Sequence, residues 1–296
     1  MKLDRKKRGY FEGWYLKQQN KNETVALIPA FHRNRQGEAS ASLQVITDSR
    51  AYQFDFPAEE FSVDSETKKL SLGQCTFSEK MCRLNAESAD CRLHGVLRFG
   101  PLTEPRYPIM GPFSLLPFMQ CRHTVFSVFH RVDGRIRINQ QVLFFKNSPG
   151  YMEGDRGVSF PRRYIWSQCS WNGGSLMLSV ADVPYAGFHF TGCIGFLYLN
   201  GEEYRIGTYL GAKLLHVSRN LVMVRQGQLT LTVRLLHENS QPLRAPEQGG
   251  MTRSIHESVS AVVQYKCTRD RKVLFDFISS RAGFESDWGD SDESSV

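Results

Sequence analysis

The feature that most constrains this chain is a motif that occurs twice. Gly9-Tyr10-Phe11-Glu12-Gly13 returns 141 positions later as Gly150-Tyr151-Met152-Glu153-Gly154. A Tyr-led run follows each copy, Tyr15-Leu16-Lys17-Gln18-Gln19 and Tyr164-Ile165-Trp166-Ser167-Gln168. That second pairing is offset by 149, so the later copy carries eight extra residues, Arg156 to Arg163. Two similar openings, each heading about half of a 296-residue chain, point to an internal duplication and two similar domains.

The segments between are strands and turns. Ala41 to Thr47 and Ala51 to Phe56 alternate apolar and polar residues, as half-buried strands do. Leu70 to Phe77, Cys91 to Phe99, His123 to Arg131 and Arg135 to Phe145 continue at the spacing of a β-meander, with Val132-Asp133-Gly134-Arg135 as a hairpin turn. The second half repeats the rhythm, with turns at Trp171-Asn172-Gly173-Gly174 and Asn200-Gly201. Helical spacing is limited to Met251 to Val263, where a strand explains Ser260 to Lys266 better. The expectation is an all-β protein of two antiparallel β-barrel or sandwich domains, most simply lipocalin-like barrels. The domains are placed at 1–148 and 149–281, the boundary in the turn cluster Asn147-Ser148-Pro149-Gly150, with an acidic disordered tail at 282–296.

Composition narrows the function. Aromatic residues make up 12% of the chain, including 20 Phe and 11 Tyr, which suits strands and a pocket for an apolar ligand. Seven cysteines without a CxxC pair argue for reduced thiols rather than a disulfide framework or a zinc site, and no metal site is expected. The net charge is +7, and the five acids of the tail leave about +12 on the rest. These basic residues are scattered and not interleaved with aromatics, so no nucleic-acid partner is expected. A plain basic surface explains them, and contact with anionic lipid headgroups would also use them. No window reaches the roughly 18 apolar residues of a membrane span, and the basic start is followed by Gly-Tyr-Phe-Glu-Gly-Trp rather than an apolar signal core. The expected location is the cytoplasm, with peripheral membrane contact left open.

The candidate chemistry is carboxylic. Glu12 and Glu153 each follow a Gly-Tyr-x step and precede glycine; each reads either as a buried acceptor or as an acid whose pKa is raised by apolar surroundings. Asp155 falls beside Arg156 at the start of the insertion, where one half departs from the other. His123 follows a proline-rich apolar loop that begins at Pro108 and includes Phe118, a plausible pocket wall. Alternation from Thr124 sends His130 to the face opposite His123. Trp14, Tyr15, Phe160, Tyr164 and Trp166 supply π faces, for core packing or for steadying a carbocation. No nucleotide loop, hydrolase triad spacing or HExxH helix is present.

These motifs together resemble the tocopherol cyclase family. The resemblance is carried by Gly9 to Tyr15, by Met110-Gly111-Pro112-Phe113 with Pro117 to His123, by Tyr151 to Pro161 with Tyr164, Trp166 and Gln168, and by Leu243 to Pro246 with Gly250-Met251 and Ile255-His256-Glu257, in unbroken order from about residue 9 to 280. It implies two lipocalin-like β-domains related to carotenoid hydratases and lipocalin-type pericyclases. It also implies closure of a prenylated quinol to a chromanol: an acid protonates the alkene and the phenol oxygen captures the tertiary cation. No cofactor is implied. Asp155, Glu153, Glu12 and His123 become the catalytic candidates, with Glu12 and Trp14 expected to support the site from the other domain. Trp14, Tyr15, Phe160, Tyr164, Trp166 and Phe118 become the candidates for binding an isoprenoid ligand. Arg156 stands where the family has an aromatic residue; a cation there would oppose a carbocation if it faced the pocket. The alternatives on the residues alone are an isoprenoid hydratase and a non-catalytic lipid-binding protein.

Overall fold

The computed structural model describes residues 7–64, 66–116, 119–185 and 188–289. Among them are strands and three short 3-10 turns, so the all-β expectation holds. No helix among the described residues is long and apolar enough to cross a membrane.

The first sheet contains β1 (Tyr10–Gln19), β2 (Thr24–Arg33), β3 (Ala39–Thr47), β4 (Ala51–Pro57), β5 (Phe61–Asp64), β6 (Lys69–Leu72), β7 (Cys75–Ser78), β8 (Met81–Glu87), β9 (Arg92–Phe99), β10 (Cys121–Ile138) and β11 (Gln141–Gly157). Their order across the sheet is β4-β3-β2-β1-β11-β10-β9-β8-β7-β6-β5. The chain therefore steps outward from β1 to β4, crosses a 3-10 turn at Ala58–Glu60 to the opposite edge, and steps back until β11 lies against β1. Only that three-residue turn joins the two edges, so the sheet curls into a nearly closed barrel. Its lumen is filled by apolar side chains, among them Leu16, Leu27, Leu43, Phe54, Phe77, Leu97, Ile136 and Met152.

The second sheet contains β12 (Tyr164–Trp171), β13 (Gly174–Tyr185), β14 (Phe188–Leu199), β15 (Glu202–Gly207), β16 (Lys213–Ser218), β17 (Leu221–Gln226), β18 (Leu229–His237), β20 (Gly250–Arg269) and β21 (Lys272–Ser286), with β19 (Gln241–Glu247) paired to β20 alone. The order β15-β14-β13-β12-β21-β20-β18-β17-β16 follows the same path, with a 3-10 turn at Thr208–Leu210 in the equivalent place. The core here is separate, built on Ile165, Leu178, Leu197, Val222, Val263 and Phe284. Two lipocalin-like β-domains of common topology are the architecture that duplication predicts.

Several expectations need correction. The 148/149 boundary lies inside β11. One compact unit comprises 1–105, 123–160 and 243–254; the other comprises 106–122, 161–242 and 255–296. The second Gly-Tyr-x-Glu-Gly copy accordingly closes the first sheet instead of opening the second. It lies antiparallel to the first copy, with Tyr15 opposite Glu153 and Trp14 opposite Gly154. The equivalent first strands are the Tyr-led runs in β1 and β12. The tail reading fails for Ala282 to Ser286, which complete β21, and Trp288 is fully buried in the second core. Val132-Asp133-Gly134-Arg135 is not a turn, because β10 runs straight through it. Gly134 sits at φ 136° where a Cβ would fall 2.2 Å from the Val96 carbonyl oxygen, so glycine there admits the backbone of β9. The hairpin bends instead at Asn139, which takes φ 53°. Asn200-Gly201 does turn as expected, both residues at positive φ. The segment with helical spacing after Met251 is strand. All seven cysteines are free thiols, and burial pushes Cys82 up to about 12.

Candidate functional site

The site grows out of strand alternation. Successive side chains on a strand point to opposite faces, and residues directly opposite across a ladder share a face. On β11, Met152 enters the barrel lumen, so Tyr151, Glu153 and Asp155 all project from the outer face. On β1, Trp14 and Leu16 enter the lumen, so Gly13, Tyr15 and Lys17 share the outer face with Asp155, Glu153 and Tyr151, their respective partners. On β10 the lumen takes Phe126 and Val132, and His123 falls on the outer face with the acids.

His123 bridges the two carboxylates. Its Nδ1 is 2.9 Å from Asp155 Oδ1 and its Nε2 is 3.1 Å from Glu153 Oε2. The second contact lies off the hydrogen-bond axis, so it is a charge contact more than an aligned bond. The Tyr151 hydroxyl donates to the other side of the cluster, to Glu153 Oε2. Glu153 and Tyr151 are buried, whereas the Asp155 side chain keeps 22% of its surface exposed, which makes it the acid a ligand reaches. Burial by itself would lower the His123 pKa, but the charges of Glu153 and Asp155 and their contacts raise it well above the usual imidazole value. The ring is therefore an imidazolium between two acids. Burial, with the charge and hydrogen bond of Glu153, holds the Tyr151 phenol well above its usual value, so it remains a donor.

His123, Glu153 and Asp155 also bring donor atoms within 4.8 Å of one another, a set close enough for a metal ion. Both ring nitrogens already face carboxylates, however, and a metal would have to displace one of them. The arrangement suits a stored proton better than a cation.

The structure gathers some of the sequence candidates and separates others. Asp155, Glu153, His123 and Tyr15 share the outer face of the first sheet. Phe160 stands at its margin, edge-on to Phe11 at 5.4 Å between centroids. Glu12 and Trp14 do not join them from another domain. They lie on β1 beside the acids but point to the opposite face, where Glu12 accepts from Tyr10 at 3.1 Å and Trp14 meets Phe126 at 5.4 Å. Arg156 is the cross-strand partner of Glu12, so its cation is also on the face away from Asp155. Tyr164 and Trp166 belong to β12 of the second unit, where the Tyr164 hydroxyl donates to Glu285. Phe118 lies outside the described residues. His130 takes the lumen face as alternation requires, with Nδ1 3.0 Å from Ser127 Oγ and the ring edge-on to Phe99; burial lowers it to about 4.

Sequence reasoning passed over Tyr151, a member of the cluster, and Lys17, which shares its face. Lys17 is buried and directly opposite Tyr151. Recognising Lys17 as a buried charge required knowing that β1 and β11 pair, because β1 also carries Glu12, Gln18 and Gln19 and so does not mark the lysine out.

No family model matches the sequence, and no curated protein does. The fold is matched by solved structures. CghA crystallised with Sch210972 aligns with a TM-score of 0.61 at 10% identity, covering 95% of this chain and 89% of that one. Kievitone hydratase from Nectria haematococca aligns at 0.56 and 8% identity, covering 94% and 88%. An AttH-type protein from Nitrosomonas europaea aligns at 0.52 and 12% identity, covering 94% and 93%. At these identities the likeness is one of fold.

Proposed function

We propose that this chain is a proton-transfer cyclase of the tocopherol cyclase type, closing a prenylated quinol to a chromanol. The observation that carries the reading is the His123 imidazolium held between Glu153 and the more accessible Asp155. Such a group stores a proton near an apolar ligand and delivers it through the acid the ligand touches. Asp155, recharged from His123, protonates the alkene: a C–H bond forms as the π bond breaks, leaving a tertiary cation. The phenol oxygen of the same molecule bonds to that cation, and its proton returns to the carboxylate. Protons in and out balance, and the product is an isomer of the substrate. Tyr15 and Phe160 supply aromatic surface on that face, and Glu153 and Tyr151 keep the imidazole oriented. The name kievitone hydratase describes addition of water, which on this fold would differ only in what captures the cation.

The test is incubation of the purified protein with a panel of prenylated quinols, following mass and the quinol's oxidation to quinone. Unchanged mass with loss of that oxidation is the expected result. Asp155→Asn should lower turnover by about 10²- to 10⁴-fold in a protein that stays folded. A gain of one water would make the protein a hydratase. Tight binding without turnover by folded wild type would make it a carrier, and full activity in Asp155→Asn would remove the acid from the mechanism.

A further inference from the structure

On the outer face of the first sheet, the row that begins at Asp155 on β11 continues with Gly13 on β1, Ala30 on β2 and Ser42 on β3. The two central positions carry almost no side chain. The nearest atoms to a Cβ placed on Gly13 belong to Ala30 and Pro29 of the neighbouring strand, at 3.1 to 3.7 Å. Gly13 and Ala30 thus put no long side chain between Asp155 and the polar pair beyond them. That pair is His32 and Ser42, with His32 Nε2 3.0 Å from Ser42 Oγ. His32 is 3% exposed, and its Nδ1 has no hydrogen-bond partner among the described residues. Burial, opposed by the charge of Asp55, lowers its pKa to about 4, so the ring is neutral near pH 7. An unmet buried nitrogen costs free energy unless something arrives to use it.

His32 pairs with Phe11, one row beyond Asp155 on the same face. Two strand spacings of about 4.8 Å and two residue rises of about 3.4 Å place its Cα roughly 12 Å from that of Asp155. Less the reach of both side chains, the gap fits an aromatic ring with an oxygen on the far side. We propose that His32, steadied by Ser42, is the second polar anchor of the site and takes a hydrogen bond with the ring hydroxyl remote from the acid. This rests on the reading above and names its substrate class: rings with a free hydroxyl at the distal position. A hydroxyl both donates and accepts, so it satisfies Nδ1 in either tautomer, whereas a methyl ether only accepts.

The probe is a quinol with a saturated side chain, which has no alkene to protonate, and its distal monomethyl ether, each titrated calorimetrically. Wild type should bind the free quinol about tenfold more tightly than the ether, and His32→Phe should erase that preference. Ser42→Ala, a milder change, should reduce it partway. A preference that persists in a folded His32→Phe, or equal affinity of wild type for both probes, overturns the anchor. Because the probe cannot react, failure of turnover in the cyclase assay and failure of the anchor are read separately.

Discussion

The two sheets put buried acids in corresponding places and arm them differently. In each, the first and last strands pair at the centre of the sheet, and their outer face carries carboxylates: Glu153 and Asp155 on β11, Glu285 on β21. Beside β11 the next strand supplies His123. Beside β21 the next strand supplies Glu257, directly opposite Glu285. An imidazolium among carboxylates holds a proton that it can pass to a neighbouring carboxylate, while a carboxylate opposite a carboxylate adds like charge. The duplicated fold fixes where charge is buried; a single side chain on the neighbouring strand decides what that charge can do.

That contrast has consequences of decreasing size. On the proposed reading, His123→Gln should lower quinol turnover by about 100-fold or more. Glu257→Gln should change it by less than about threefold, which is under ~0.7 kcal/mol of barrier. A loss at Glu257→Gln as large as that at His123→Gln would break the comparison and make the second group part of the chemistry.

The next consequence is a pH optimum of stability belonging to the first unit. His32 and His130 are held near about 4 against 6.5 when unfolded, so the unfolded chain takes up protons that the folded chain refuses as pH falls from 6.5 to about 4. Stability declines over that window. His123 has the opposite sign: raised well above 6.5, it contributes stability fully present below 6.5 and lost as pH rises through its folded value. Melting curves across pH should therefore peak near neutrality. The double variant His32→Gln with His130→Gln should flatten the acid limb, and His123→Gln the alkaline one. An acid limb unchanged in the double variant would show that other groups govern it. Smallest of all, Arg219→Ala, which removes a largely exposed pair with Glu238 at 3.4 Å in the second unit, should shift unfolding by under about 0.5 kcal/mol. A larger shift in urea unfolding would mean that surface charge, and not only the buried groups, separates the two units.

The fold class was legible because period-two alternation reports a half-buried strand directly, and Asn200-Gly201 reports its own turn. The repeat was legible too, but its meaning was not. Two copies of Gly-Tyr-x-Glu-Gly look like two beginnings, whereas they are one beginning and one end of the same sheet, brought together by a ladder that composition cannot announce. That misreading carried the boundary and the supporting roles of Glu12 and Trp14 with it. Asp155, Glu153 and His123 were named from residue type, yet their mutual contact depends on β11 pairing with β10 in a register that the residues alone do not announce. The face assignments, which remove Glu12, Trp14 and Arg156 from the acid, follow from parity once register is known. Asp133-Gly134 misled because glycine serves close backbone approach as readily as a turn.

The pairing of β1 with β11 also governs the order of assembly during synthesis. Glu12 cannot meet Arg156 until the ribosome has released the whole stretch between them, and the first unit further includes 243–254, where Arg244 bonds Gln44 from 200 residues away. At about 5–20 residues per second, the nascent N-terminal strands wait roughly ten seconds or more for the last pieces of their own unit. Contacts of such separation also fold slowly. The acid-bearing strand is thus among the last to dock, and a truncated translation product would expose an unclosed sheet edge, a target for chaperones, without ever assembling a competent acid.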